Sequence, residues 1–597
     1  MNKSNLFTEA IYGFKSARRN ILFRILVILA IVGIVICQFT PLSGGIKSLF
    51  SFSVDWLSQA LPSSIAYKTA YFFNIVLLFL VVGFVANDLR IFKFSGMEPL
   101  HVRSLNNEEI VLGNFLGKLL LFTIVNFLVF AISILINFAF YPQSFDLSVY
   151  LFYWVTLNLP TLIFFLGISY LMTRLVRQQA LSMLILFVAL GILSYWGAGW
   201  LNGLFDPFAR NIPNMFSNFT GHVGIENYLL QRGFILVVGL GCLVLSIIPY
   251  PRIPNCLYVF KRNFSVVCVV FLVAGSLAFV YVYRHGRTED NRNVYKAVYE
   301  EYGNTPAARV VRNDLYAKDL GGGISVTSRM SVVNSSLETI PLVIYLNPGL
   351  KVVSFEIDEE AVAFKRESQA ILPNRKLNPG EKVEISMRYE GGIENDICFM
   401  DTDREKYYSP AVNSFGIYRF GYAPAFCGKE YKLLTPECIW YPVCVPPYGA
   451  TGVRDVNFTR YSLKVEHDSR LVAISQGNMI EERGGETIFT FHHDMPGISL
   501  CLGNYEKREI MVDSTCMTLY CLPGHDYLLG NYTDFPEKDL VDQLMYLKTN
   551  DFEMNGCIQT AKFKAKRFAE SNVYDPVQQY PYRWFTLVEV PCNFYSF

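Results

Sequence analysis

Seven histidines are the side chains in this sequence best suited to hold a metal or move a proton: His101, His222, His285, His467, His492, His493 and His525. A zinc hydrolase of the helical type needs two histidines one helical turn apart with a glutamate as base, His-Glu-x-x-His. No pair here has that spacing. His492-His493-Asp494 ends a predicted strand, where neighbouring side chains point to opposite faces and cannot easily share an ion. Gly524-His525-Asp526 reads as a turn with a local hydrogen bond. No Gly-x-Ser-x-Gly elbow places a nucleophilic serine. Gly113-Asn-Phe-Leu-Gly117-Lys118-Leu119 falls short of a phosphate loop: three residues separate the glycines instead of four, and leucine follows the lysine. No catalytic residue, metal ligand, cofactor or nucleotide site is expected. The chain as given is not expected to be an enzyme.

Thirteen cysteines are present, nine of them after residue 390: Cys398, Cys427, Cys438, Cys444, Cys501, Cys516, Cys521, Cys557 and Cys592. No Cys-x-x-Cys occurs, which argues against a zinc ribbon or a thioredoxin-like pair. A disulfide from Cys427 to Cys438 or Cys444 is expected, because this Gly/Pro/Tyr-rich stretch lacks an obvious apolar core.

The elements that carry these residues divide the 597-residue chain in two. Long apolar runs dominate up to about residue 285; charged residues become frequent after Tyr283-Arg284-His285-Gly286-Arg287. A membrane span needs about 20 mostly apolar residues. Seven are expected: Asn20 to Phe39, Ala70 to Ala86, Leu116 to Phe140, Tyr150 to Met172, Ala180 to Trp200, Phe234 to Tyr250 and Phe264 to Tyr283. The first is too long for the core of a cleavable signal peptide, and no cleavage site follows. Lys15, Arg18 and Arg19, then Arg90, Lys93 and Arg103, Arg174 and Arg177, and Arg252, Lys261 and Arg262 fall in alternate loops. Basic loops stay in the cytoplasm, so the N-terminus is expected inside and the C-terminal half outside, across a cell (inner) membrane. Beyond Arg24 these spans are read as carrying no Asp, Glu, Lys, Arg or His, which argues against a proton- or sodium-coupled carrier. Asn74, Asn126, Asn137 and Asn158 are its main polar residues, serving interhelical hydrogen bonds or a substrate. A net charge of +1 points to no nucleic-acid partner.

After about Gly321 the period becomes two. Val383, Ile385, Met387 and Tyr389 alternate with Glu384, Ser386 and Arg388, and Tyr461, Leu463 and Val465 follow the same rule. Asn347-Pro-Gly, Asn378-Pro-Gly and Gly484-Gly485 mark turns. Late helices are predicted over Glu537 to Thr549 and Ile558 to Ser571, and a strand over Phe585 to Pro591.

The loop after the second span contains Met97, Glu98, Leu100, Arg103, Leu105, Glu108 and Glu109, then Gly113 and Lys118 at the start of the third span. It resembles the coupling segment of ABC-2-type transporter permeases. That resemblance implies a short interfacial helix on which a separate ATPase docks. Phe7, Ile11 and Phe14, beside Lys15, Arg18 and Arg19, resemble the interfacial "elbow" helix of the same family. A seventh span departs from that family's six-span core.

The second half resembles the N-terminal β-domain of M1-family aminopeptidases. The pieces are Leu377-Asn-Pro-Gly380-Glu381, Tyr389-Glu-Gly391, Trp440-Tyr-Pro442, Tyr461 to Val465, Ala473 to Gly477, Met495-Pro496 and Leu500 to Tyr505. Tyr580-Pro-Tyr582 and Leu587-Val-Glu-Val-Pro591 resemble the start of that family's catalytic domain. The zinc motif and the family's Gly-x-Met-Glu-Asn motif lie beyond that strand, and this chain stops at Phe597. The catalytic module is therefore expected to be lost, carried on another chain or cut away. The whole resembles a bacterial fusion of an ABC-2 permease with an M1-like domain.

The expected fold is a multi-pass α-helical membrane bundle of about seven spans. To it is joined a β-rich extracytoplasmic domain, saddle-like as in M1 enzymes, with a short α/β piece at the C-terminal end. The expected divisions are 1–19, an interfacial helix; 20–284, the permease bundle; 285–320, a linker; 321–510, the β-domain; and 511–597, the start of a truncated catalytic-like domain. The leading functional reading is a permease subunit, dimeric or paired with a similar chain, energised by a separate ABC ATPase, with a peptide or protein ligand outside. A membrane-anchored M1-like aminopeptidase lacking its catalytic part, and a membrane receptor or scaffold, are the alternatives.

Overall fold

Apolar runs of 17 to 34 residues fold as helices in this computed structural model. It describes residues 3–38, 63–94, 106–140, 142, 145–176, 178–195, 197–249, 257–303, 306–400, 414–415, 418–421, 423–445, 456–512, 515–525 and 584–594. The helices are α1 Lys3–Arg19, α2 Ile21–Gln38, α3 Ser63–Phe94, α4 Asn107–Phe140, α5 Leu147–Tyr153, α6 Leu159–Val176, α7 Gln179–Tyr195, α8 Ile225–Leu245 and α9 Leu257–Tyr302. A π turn, Trp154–Asn158, joins α5 to α6. The late helices predicted after Glu537 lie outside the described residues, as do Met97, Glu98, Leu100, Arg103 and Leu105.

Each of the seven expected spans coincides with a helix, but among the described residues five helices are long and apolar enough to cross a membrane: Ser63–Ala86, Asn107–Phe140, Leu147–Val176, Ile225–Leu245 and Val259–Tyr302. The pair α1–α2, bent by 72°, makes up to six. The apolar part of α7, Gln179–Ser194, is shorter than these. At 1.5 Å per residue it reaches about 24 Å, less than the ~30 Å of a hydrocarbon core.

The expected linker over 285–320 is not one. α9 runs 46 residues without a break to Tyr302, about 69 Å. Strand β1, Arg309–Asp319, then enters the middle of an eight-stranded sheet. Its other strands are β2 Ile324–Val333, β3 Leu350–Ile357, β4 Glu360–Ala361, β5 Lys382–Gly391, β6 Arg460–Glu466, β7 Asn478–Arg483 and β8 Glu486–Thr490. The order is β7-β8-β6-β1-β2-β5-β3-β4. All neighbours are antiparallel except β6 and β1, which pair Arg460 with Arg312 in parallel. The period-two reading of β5 holds: Val383, Ile385, Met387 and Tyr389 are buried on one face.

One expected span does carry an ionisable group, Lys118, contrary to the reading of the sequence, and others are buried beside the spans. Lys68, Glu109, Lys118, Asp206 and Arg232 are all 3% exposed or less. Lys118 lies inside the expected third span; Lys68, Glu109 and Arg232 stand on helical turns just outside the expected spans, and Asp206 lies in the segment between α7 and α8. The expected disulfide is not formed either: Cys427, Cys438 and Cys444 are free thiols. The stretch has the apolar core it was thought to lack, since Cys438, Ile439, Trp440, Tyr441 and Cys444 all pack into the core of the sheet domain.

Candidate functional site

Two polar assemblies stand at opposite ends of the bundle. At the first, α1 lies against the opening turns of α4. Two glycines of α4 permit the approach. A Cβ on Gly113 would stand 2.6 Å from Glu9 Cβ, and one on Gly117 2.9 Å from the Phe14 nitrogen. Glu109, at the third position of α4, reaches back to the backbone N–H of Asn106 at 3.2 Å, satisfying a donor that the helix start leaves free. Its carboxylate also accepts from Asn5 Nδ2 of α1 at 3.2 Å. Glu108 forms an ion pair with Arg262 in the first turns of α9. Lys118 places its ammonium 5.2 Å from the centre of the Tyr170 ring of α6, a cation–π contact in the bundle interior. Of the seven expected docking residues, the described ones, Glu108 and Glu109, hold α1, α4 and α9 together. Phe7, Ile11 and Tyr12 remain exposed on α1, next to Lys15, Arg18 and Arg19. Such a face suits the boundary between lipid tails and headgroups.

The second assembly caps the end of the bundle that meets the sheet domain. The segment between α7 and α8 folds around Asp206, which is 1% exposed. Its carboxylate accepts three backbone N–H groups: Phe208 at 2.9 Å, Arg210 at 2.6 Å and Asn211 at 2.9 Å. Arg232 of α8 is equally enclosed. It donates to the carbonyls of Asp206 (2.7 Å) and Pro207 (2.9 Å) and to Gln231 Oε1 (2.6 Å). Gln231 in turn donates to the carbonyls of Gly203, Leu204 and Asp206. A buried charge costs least when every hydrogen-bonding position is occupied, and here the loop backbone supplies the partners.

Asn214 joins this cap to the sheet domain. Its amide donates to Tyr67 Oη at 2.7 Å and to the Ala209 carbonyl at 2.9 Å. Its carbonyl accepts from Tyr153 Oη at 2.6 Å. Its backbone N–H donates to the Arg419 carbonyl at 2.9 Å, and its side-chain oxygen accepts from Arg419 N–H at 3.0 Å. Tyr418, beside that contact, is fully buried and belongs to the bundle core together with Phe420. Its hydroxyl lies 3.0 Å from Ser64 Oγ at the start of α3. A strand of the second half is thus seated in the mouth of the bundle.

α9 provides the second attachment. Arg292 donates to the carbonyls of Asp396, Cys398 and Phe399 at 2.8–3.0 Å. Asn291 donates to the Asp396 carboxylate at 3.2 Å. Burial raises the Asp396 carboxyl above its ordinary range, against the lowering effect of Asn291. Burial also pushes the Cys398 and Cys438 thiols up, which makes them poor nucleophiles. The third attachment is His525. Instead of the expected local bond, its Nδ1 meets Glu589 Oε1 at 2.5 Å and its Nε2 lies 2.6 Å from Asn218 Nδ2 in the cap. Among the described residues no group of three or more His, Cys, Asp or Glu side chains is arranged to hold a metal.

Asp206, Arg232, Asn214 and Tyr418 were not anticipated from the sequence. Arg232 stands two residues before the expected sixth span, so the apolar window excluded it.

No family model matches the chain, and no curated protein does. Among solved structures it is similar to an M1 zinc metallopeptidase from Deinococcus radiodurans, at 14% identity and a TM-score of 0.29, over 47% of this chain and 56% of that one. It is also similar to aminopeptidase A from Legionella pneumophila, at 13% identity and a TM-score of 0.30, over 49% of this chain and 29% of that one. The chain therefore spans about half the length of the first and less than a third of the second. The overlap is partial.

Proposed function

We propose that this chain is the membrane subunit of an ABC-2-type transporter, energised by a separate ATPase. The ATPase docks on the segment Met97 to Glu109, and the second half is a non-catalytic, M1-like domain that binds a peptide or protein outside the membrane. The observation that carries the reading is the platform at the opening turns of α4, where that segment ends. α1 packed on Gly113 and Gly117, the buried Glu109 and the Glu108–Arg262 ion pair join three helices at one end of the bundle. A force applied to the docking segment would reach α1, α4 and α9 together. Because α9 continues into the sheet domain, where Arg292 anchors it, the same rod reaches the far side. The basic residues of α1 and of the loops that share its end of the bundle support a cytoplasmic location for that end.

The test is affinity purification of the full chain from its native cell, followed by assay for a bound ATPase. Glu98→Lys and Arg103→Glu are expected to release the ATPase while leaving the thermal midpoint of the membrane subunit unchanged. If no ATPase accompanies the wild-type chain, the docking proposal fails and the receptor or scaffold reading takes its place.

A further inference from the structure

Polar side chains inside the bundle mostly meet one another. Asn158 donates to Asn126 Oδ1 at 3.1 Å, and Asn137 donates to Tyr150 Oη at 3.0 Å. Gln38, the last residue of α2, is only partly provided for. Its Nε2 donates to Thr69 Oγ1 of α3 at 2.8 Å. Its backbone carbonyl accepts from Lys68 Nζ at 3.3 Å. Its Oε1 has no partner among the described residues, although Gln38 is only 4% exposed. Native interiors rarely leave such an acceptor unmet, and it carries a substantial penalty when they do.

Gln38 lines a cavity between α2 and α4. On α2 the lining residues are Ile31, Ile34, Val35 and Gln38. On α4 they are Val129, Ile132, Ser133 and Ile136. Both sets fall at i, i+3, i+4 and i+7, the spacing of one helix face, so the cavity lies where two such faces meet. Apart from Gln38 and Ser133 the lining is all valine and isoleucine, which are stiff at χ1 and cannot swing into a gap. Ser133 is the one small residue among them, and it leaves the space that its neighbours cannot fill. That space has room for one water-sized molecule.

The hydrogens can be accounted for. Ser133 Oγ lies 2.6 Å from Thr69 Oγ1, the same atom that accepts from Gln38. The Thr69 hydroxyl donates its one hydrogen to the Ile65 carbonyl at 2.8 Å. It can therefore only accept from Gln38 and from Ser133. This commits the Ser133 hydrogen and leaves that oxygen its lone pairs. It also fixes the Gln38 amide, since the reverse orientation would set Oε1 against a hydroxyl with no hydrogen to give. The cavity is thus bordered by two acceptors, Gln38 Oε1 and Ser133 Oγ, joined through Thr69.

We propose that a single internal water is bound in this cavity, donating one hydrogen to Gln38 Oε1 and the other to Ser133 Oγ. Its two hydrogens match the two acceptors, and two hydrogen bonds are enough to hold a buried water. A lipid hydroxyl would bring a chain for which the cavity has no room. An ammonium group would have to shed its hydration among aliphatic side chains. The water ties the end of α2 to α4. The site stands whether or not the chain transports anything.

X-ray hydroxyl-radical footprinting of the full chain in lipid nanodiscs tests this, because a bound water is radiolysed where it sits and labels its neighbours. Val129, which lines the cavity and is 2% exposed, is expected to be oxidised severalfold faster than Val125, which is 4% exposed one turn earlier on α4 and does not line it. Gln38→Leu is expected to abolish that difference, and the milder Ser133→Ala to reduce it. The proposal is overturned if Val129 in the wild-type chain is as silent as Val125, a result that decides the matter even if neither variant folds. Labelling of Val129 that persists unchanged in Gln38→Leu would overturn it too. So would a lipid that stays bound to the wild type in native mass spectrometry and is absent from Gln38→Leu, because the cavity would then hold that lipid's hydroxyl.

Discussion

Gly113→Ala is the substitution that most directly probes the packing of α1 on α4. The added methyl would lie 2.6 Å from Glu9 Cβ and 3.1 Å from the Leu6 carbonyl oxygen. Carbon atoms in contact settle at about 3.5–4.0 Å, so α1 must retreat by about 1 Å. Overpacking of this kind costs about 1–3 kcal/mol. Alanine also favours the helical state of α4 by about 1 kcal/mol relative to glycine. That gain is present whether α1 is docked or not, so it cancels from the docking equilibrium. The undocked population is then expected to rise by roughly 5- to 150-fold, at 1.4 kcal/mol per factor of ten. Limited trypsin digestion reads this directly at Lys15, Arg18 and Arg19, under conditions where cleavage follows the open population. Gly33→Ala in α2, where no atom lies within 4 Å of the added methyl, serves as the control and is expected to cleave at the wild-type rate. If Gly113→Ala is also cut at the wild-type rate, with a raised thermal midpoint, then α1 does not rest on this surface and the platform argument falls.

Asp206→Ala removes the acceptor of three buried backbone N–H groups and is expected to destabilise the chain by roughly 3 kcal/mol or more, with Asp206→Asn intermediate because one oxygen remains; denaturant or thermal unfolding in detergent measures both, and equal midpoints for wild type and Asp206→Ala would refute the cap. Asp396 carries the pH dependence. Its folded carboxyl titrates above the ordinary 3.8, so its stabilising contribution is present below 3.8 and is lost as pH rises through the raised folded value. Asp396→Asn should therefore raise the thermal midpoint at neutral pH, with the advantage shrinking on acidification and gone below about pH 4; a difference that is constant from pH 4 to 8 contradicts the assignment.

Much of the architecture is legible in local pattern. Apolar runs located α2 to α8 and the first half of α9, because a lipid-facing or core helix has no polar stripe to hide it. Alternation located β5 and β6, because one face of each is buried and the other is wet. Other elements were obscured for identifiable reasons. The outer half of α9 is rich in charge, yet Tyr295, Val298, Tyr299 and Tyr302 recur at helical spacing and form its buried stripe. That signal was present and was masked by the surrounding polarity. In β1 the register shifts between Val310 and Arg312, and this irregularity breaks the alternation that would have marked a strand.

What the sequence determines by itself is the division into an apolar helical half and an alternating half, since hydropathy and period are properties of neighbouring residues. The span count is less secure, because length decides it and the ends of helices such as α7 are set by packing. The polar assemblies belong to the tertiary structure alone. Asp206 and Arg232 are 26 residues apart, and Asn214 and Arg419 are 205 apart. Whether a buried charge or amide is tolerable depends on partners from distant segments, and no local window contains them. The same holds for Gln38: its residue type marks it as polar, but only the packing of α2 against α3 and α4 leaves it enclosed with its side-chain oxygen unmet.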